Sequence, residues 1–209
     1  MATPLIICFG DSLTAGYQSP TREYPTICET PPGHFLQDRL GGQAQVMVSG
    51  VCGELTGEMT MRFRQTVLDR KPHAVVILGG TNDLGWNADP QEIMRNLLKM
   101  YEQARGAGIR PVAVTAPSLR PTGDVWGTEG QRWVQDHLDR RHALNRLIQD
   151  YAQSHRVPCV DLFTATAEDG TGWLAEPYSN DGLHLTTAGY RCFADLLYDE
   201  VFSAIGTEG

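Results

Sequence analysis

Apolar residues recur along the chain in two alternating rhythms. Short unbroken runs, Leu5-Ile6-Ile7-Cys8-Phe9, Gln45-Val46-Met47-Val48, Ala74-Val75-Val76-Ile77-Leu78, Pro111 to Ala116 and Val157 to Asp161, have the length and β-rich composition of buried strands. Between them lie stretches with the helical period. Phe35, Leu36 and Leu40 mark one over 34–40, closed by Gly41-Gly42, and Met59, Phe63, Val67 and Leu68 mark a second from Thr56 to Arg70, stopped by Lys71-Pro72. Asp89-Pro90-Gln91-Glu92 supplies an N-cap, a proline at the first helical position and an acid in the first turn. The helix it starts has Ile93, Leu97, Met100, Tyr101 and Ala104 on one side and stops at Gly106. Gln131 to His155 is a long helix with Trp133, Val134, Leu138, Leu144, Leu147, Ile148 and Tyr151 as its inward stripe, and Thr186 to about Ile205 is the last.

Five alternations of strand and helix predict right-handed crossovers and a five-stranded parallel sheet covered on both faces, a three-layer α/β/α sandwich. Residues 1–209 are expected to form one domain. Ligands on such sheets bind at the carboxyl ends of the strands, where Ser12, Gly53, Asn82 and the loop after Ala116 are expected to gather. Tyr17 to Gly33 and Pro117 to Gly130 read as irregular loops at that rim.

Composition narrows the partners. A formal charge of −8 disfavours nucleic acid and anionic membrane surfaces, which need clustered Lys and Arg. No stretch approaches the roughly 18 apolar residues of a membrane span, so no stable membrane insertion is expected. The five cysteines are odd in number and lack a C-x-x-C pair, which predicts neither a disulfide framework nor a zinc site. With no basic segment ahead of the first strand, the reading is a cytoplasmic protein.

Two segments at opposite ends carry candidate chemistry. The first run breaks into Gly10-Asp11-Ser12-Leu13, which puts a serine hydroxyl beside the free amides of a helix start, as a cap or as a nucleophile. Near the other end, Asp181 and His184 are three apart, so the carboxylate can hold one imidazole nitrogen and leave the other as a base, or the two form an ordinary surface pair.

These segments, with Gly80-Thr81-Asn82-Asp83 between them, resemble the three motif blocks of the SGNH hydrolases, also called GDSL esterases and lipases, in family order. The resemblance implies a flavodoxin-like SGNH hydrolase fold and a serine carboxyl-ester hydrolase. It implies Ser12 as nucleophile, His184 as general base and Asp181 as its orienting acid. It further implies an oxyanion hole from the amides of Ser12 and Gly53 and the side chain of Asn82. The glycine block departs from the family pattern, with Val48, Cys52 and Glu54 where Asn, Ser and Asp are usual, so Gly50 stands as a rival to Gly53. No metal or cofactor is expected, and the partner is a small-molecule ester. The oligomeric state is left open.

Other residues set the alternatives. His34, His73, His137, His142 and His155 lack metal spacing and are expected to be solvated. Trp86, Trp126 and Trp173 fall in loops that either line a pocket or pin the loop, and Trp133 is expected in the core. Leu119, Trp126 and Trp173 favour short acyl or aryl esters; sugar acetates, lysophospholipids and thioesters are the near alternatives. A nucleotide-binding protein on the same sheet is a further reading, disfavoured because no phosphate-binding glycine loop follows the first strand.

Overall fold

The computed structural model describes residues 3–23, 25–121 and 128–205, with the backbone alone for 128–131. Strand β1 (Leu5–Gly10) leads into the short helix α1 (Ser12–Ala15) and then a small ribbon of β2 (Tyr17–Gln18) and β3 (Cys28–Glu29). The expected loop thus contains an antiparallel pair, Tyr17 opposite Glu29 and Gln18 opposite Cys28. Helix α2 (Pro32–Leu40), strand β4 (Gln45–Gly50), helix α3 (Thr56–Thr66), strand β5 (Ala74–Leu78), helix α4 (Thr81–Gly85), helix α5 (Pro90–Gly106) and strand β6 (Arg110–Val114) follow. Helix α6 (Thr128–His155), strand β7 (Cys159–Val160), helix α7 (Leu162–Thr166) and helix α8 (Thr187–Leu197) complete the chain.

The five main strands are all parallel, in the order β4-β1-β5-β6-β7. Direction therefore reverses at β1: the chain first steps outward to β4, then crosses back to β5 on the other side. A crevice opens between the carboxyl ends of β1 and β5 at such a switch point. Ser12 and Asn82 directly follow these two neighbours.

Alternate strand residues face opposite layers. Ile7, Phe9, Val75 and Ile77 pack with Met59, Phe63, Leu97, Met100, Leu144 and Ile148 of α3, α5 and α6. Ile6, Cys8, Val76 and Leu78 pack with Leu36, Leu40, Tyr190, Phe193 and Leu197 of α2 and α8. Each such side chain contributes roughly 1.5–3 kcal/mol by leaving water.

Several sequence expectations need correction. The helix from Thr56 ends at Thr66, and a separate 3-10 turn over Leu68–Arg70 closes on Lys71 with φ 50° before Pro72. The fifth strand shrinks to Cys159–Val160; Pro158 has no N–H to donate and serves only as acceptor, for Ala113 N at 2.9 Å. The last α-helix stops at Leu197 and widens into one π-turn over Tyr198–Phe202. Trp133 is 51 % exposed rather than core, and His137 is 3 % exposed rather than solvated. This part of α6 packs through Val134 and Leu138 on Leu119 and Trp173, apart from the clusters on the sheet, and His137 is stacked against Trp133. Trp126 lies outside the described residues.

Candidate active site

Asp11 caps α1, its Oδ1 accepting from the amide of Leu13 at 2.9 Å, and Gly16 closes the helix after four residues. Ser12 is thereby the first helical residue, and its Oγ lies 3.1 Å from His184 Nε2 across 172 positions of chain. His184 Nδ1 is 2.7 Å from Asp181 Oδ2. The other carboxylate oxygen, Asp181 Oδ1, accepts from the amides of Leu183 (2.8 Å) and His184 (2.7 Å), so the spacing of three seen in the sequence becomes a turn folded onto its own acid. Partial burial raises the carboxyl pKa, but donors from His184, Ser19 and the Leu183 and His184 amides overcome it and hold Asp181 well below the usual carboxylate range. The sequence reading missed Ser19, whose Oγ donates to Asp181 Oδ2 at 2.5 Å.

Asp11 behaves oppositely. Burial pushes its carboxyl up to about 7; the Leu13 amide and the charge of His184 oppose that, while Asp83 adds to it. Its Oδ2 is buried and without a hydrogen-bond partner among the described residues.

Asn82 stands near the start of α4 and donates from Nδ2 to the carbonyl of Glu54 at 3.0 Å. Its neighbour Asp83 accepts from the amide (3.0 Å) and hydroxyl (2.6 Å) of Thr56, tying α4 to the start of α3. The two rival glycines differ in kind. Gly50 pairs with Gly10 in the sheet, and a Cβ there would lie 2.2 Å from Ala15 N, so glycine is needed for α1 to pass close by. Gly53 sits in the exposed loop beyond, at φ +78°, with open space where a side chain would point. Arg62, unnoticed in the sequence, fixes this loop: Nε and Nη2 each reach Glu54 at 2.6 Å, Nη1 reaches Ser49 Oγ at 2.7 Å, and the guanidinium covers the Phe9 ring. Glu54 in place of the usual Asp is thus the partner of an arginine one helix away. Cys52 is exposed, and partial burial with Glu29 and Asp11 nearby raises its thiol pKa, the reverse of an activated thiol.

A cleft of about 540 Å³ opens beside Asn82 and Asp181. Leu119, Pro121, Val134 and Leu183 supply apolar wall, and Trp86 and Trp133 stand at it 80 % and 51 % exposed. Trp173 does not line it but packs with Leu119, Val134 and Leu138. His137 stacks on Trp133 at 5.0 Å; burial, then Arg141 and Arg140, push its imidazole down to about 4, so it is uncharged at neutral pH. Arg141 behind it is fully buried and donates to Pro117 O at 2.6 Å. Among the described residues no group of three His, Cys, Asp or Glu side chains is arranged to hold a metal ion, and no helix is long and apolar enough to cross a membrane.

Comparison with known proteins identifies the family. The GDSL-like Lipase/Acylhydrolase family model matches residues 8–192. A Bacillus subtilis (strain 168) protein described as the uncharacterized lipoprotein YqeF is 30% identical over 215 residues, covering 93% of this chain and 88% of its own. An arylesterase of Vibrio mimicus is 31% identical over 113 residues, 53% of this chain and 54% of its own. Among solved structures, the lipase/acylhydrolase of Enterococcus faecalis superposes with a TM-score of 0.75 at 26% identity, over 97% of both chains. A family match across most of the length, laid on a parallel sheet of the same architecture, makes this chain a member of the GDSL-like lipase/acylhydrolase family, a hydrolase of carboxylic esters.

Proposed function

We propose that the protein hydrolyses short acyl and aryl esters by covalent catalysis at Ser12, with His184 as general base and Asp181 as the acid that orients it. The observation that carries this reading is the unbroken relay from Ser12 Oγ to His184 Nε2 at 3.1 Å and from His184 Nδ1 to Asp181 Oδ2 at 2.7 Å. Ser12 Oγ bonds to the acyl carbon as its proton passes to Nε2, and the carbonyl electron pair moves onto oxygen. The amides of Ser12 and Gly53 and the Nδ2 of Asn82 donate to that oxyanion. The ester C–O bond then breaks, the imidazolium returns its proton to the departing alcohol, and water repeats the sequence to free Ser12. A carboxylate that stays ionised supports the part given to Asp181, which stabilises the imidazolium without taking its proton.

The size of the cleft and its mixed aliphatic and indole lining support a short or aromatic group beside the ester. Two exposed indoles are also suitable platforms for a sugar ring, which favours sugar acetates as the second substrate class to test. The test is a fluorophosphonate probe with a panel of p-nitrophenyl esters and sugar acetates. Wild type should label and turn over C2 to C6 esters best, and Ser12→Ala should do neither. Labelling of Ser12→Ala, or a preference for acyl chains of twelve carbons and more, overturns the reading.

A further inference from the structure

The relay does not end at Asp181. Asp181 Oδ2, the oxygen that faces His184, also accepts from Ser19 Oγ at 2.5 Å. Ser19 belongs to a run of three successive residues that all grip the segment 181–190. The Tyr17 ring lies against the His184 ring, centroids 4.5 Å apart and planes at 59°, and the Tyr17 carbonyl accepts from Tyr190 Oη at 2.6 Å. The Gln18 amide engages Thr187 both ways, Nε2 donating to Thr187 Oγ1 at 3.0 Å and Oε1 accepting from Thr187 N at 3.1 Å. Behind the run, the β2–β3 ribbon and the bonds Gln18 Nε2 to Thr30 Oγ1 (2.7 Å) and Thr30 N to Gly16 O (2.8 Å) hold it in register.

We propose that Tyr17-Gln18-Ser19 is the clamp that docks the acid–base loop onto the nucleophile strand, with Ser19 as the positioning residue that fixes the plane of the Asp181 carboxylate. This rests on the roles given to Ser12, His184 and Asp181 above. Asp181 Oδ1 takes two backbone amides and, at 3.4 Å, the Ser179 hydroxyl, all from its own turn, but Oδ2 must be aimed at an imidazole whose other nitrogen has to reach Ser12. With Ser19 in place Oδ2 has two donors at fixed angles, so the carboxylate cannot rotate without losing one. The Tyr17 ring, set at 59° against the imidazole, limits its movement in the other direction. Base and nucleophile come from opposite ends of the chain, so their sub-ångström registry needs a part that touches both. Gly16 alone separates residues 17–19 from the end of α1 at Ala15.

The experiment compares kcat and KM on p-nitrophenyl acetate for wild type, Ser12→Ala, Ser19→Ala and Ser19→Thr, with the low-field proton resonance of His184 Nδ1–H as a second readout. Ser19→Ala should lower kcat about tenfold or more with KM within twofold, Ser19→Thr should recover most of the loss, and the proton resonance should broaden or move in Ser19→Ala but not in Ser19→Thr. An inactive Ser12→Ala beside a Ser19→Ala with wild-type kcat overturns the clamp and leaves the triad standing. So does a Ser19→Ala loss confined to KM, or one that Ser19→Thr does not restore while the resonance is unchanged. Turnover by Ser12→Ala overturns the triad reading itself. Ser19 is only half-buried and its replacement removes one oxygen, so Ser19→Ala is expected to fold; a melting temperature within a few degrees of wild type checks this.

Discussion

Asn82 Nδ2 donates to the carbonyl of Glu54 at 3.0 Å, and that bond fixes which way the other hydrogen of the same amide points. A side chain with one hydrogen committed to the scaffold loses no freedom when the second meets a developing charge. On the proposed oxyanion role, Asn82→Ala is expected to lower kcat by roughly 10²–10³ with little change in KM. Steady-state kinetics on a p-nitrophenyl ester decides it; a loss under tenfold removes Asn82 from the oxyanion site.

Arg62 should matter although it lies outside the cleft. Its guanidinium holds Glu54, which is 7 % exposed, through two bonds of 2.6 Å, and Glu54 in turn presents the carbonyl that Asn82 uses. Arg62→Lys keeps the charge but cannot make the two-pronged contact. Arg62→Ala leaves a buried carboxylate unpaired, a cost of about 2–3 kcal/mol once partial exposure of the arginine is allowed for. Thermal unfolding should order the proteins as wild type, Lys, Ala, with kcat falling in the same order. Equal stability for all three would mean the pair contributes nothing.

The buried Asp11 predicts a pH-dependent stability of unusual sign. Its folded pKa of about 7 lies above the value of about 4 in an unfolded chain. Between those limits the folded state holds a proton that the unfolded state has released, so the Asp11 contribution worsens as pH rises and reaches its full penalty above pH 7. Asp11→Asn keeps the acceptor for the Leu13 amide and removes the charge. The variant should melt roughly 2–4 °C or more above wild type at pH 8, for at least about 1 kcal/mol of relief, and should match it near pH 4. A gain equal at both pH values refutes the charge-based account.

Trp86 is 80 % exposed at the cleft, too far into solvent for a role in folding. Trp86→Ala should leave the melting temperature within about 2 °C, since surface replacements rarely exceed about 0.5 kcal/mol. It should raise KM for phenyl esters several-fold while sparing ethyl acetate. Parallel KM changes for both esters would deny the indole any part in recognising an aromatic group.

The strands and larger helices were legible because their apolar spacing is local. The motif blocks were legible because each occupies four consecutive residues. Ser19 and Arg62 were not, for opposite reasons. Ser19 meets its partner across 162 positions from a Pro- and Thr-rich stretch without periodicity. Arg62 lies on a helix whose pattern is regular, and its outward-facing position there reads like any solvated basic residue. Trp133 shares the helical stripe of true core residues yet is exposed, and His137 reads as a polar-face residue yet is buried. Periodicity reports which side of a helix faces inward, not what packs on each part of its length.

The joining of Ser12 to His184 across nearly the whole chain has a consequence for biosynthesis. On the proposed assignment, translation delivers the alcohol 172 residues before its base. Unfinished or prematurely released chains carry the nucleophile without the means to ionise it. Ester cleavage is thus confined to molecules whose synthesis has passed His184.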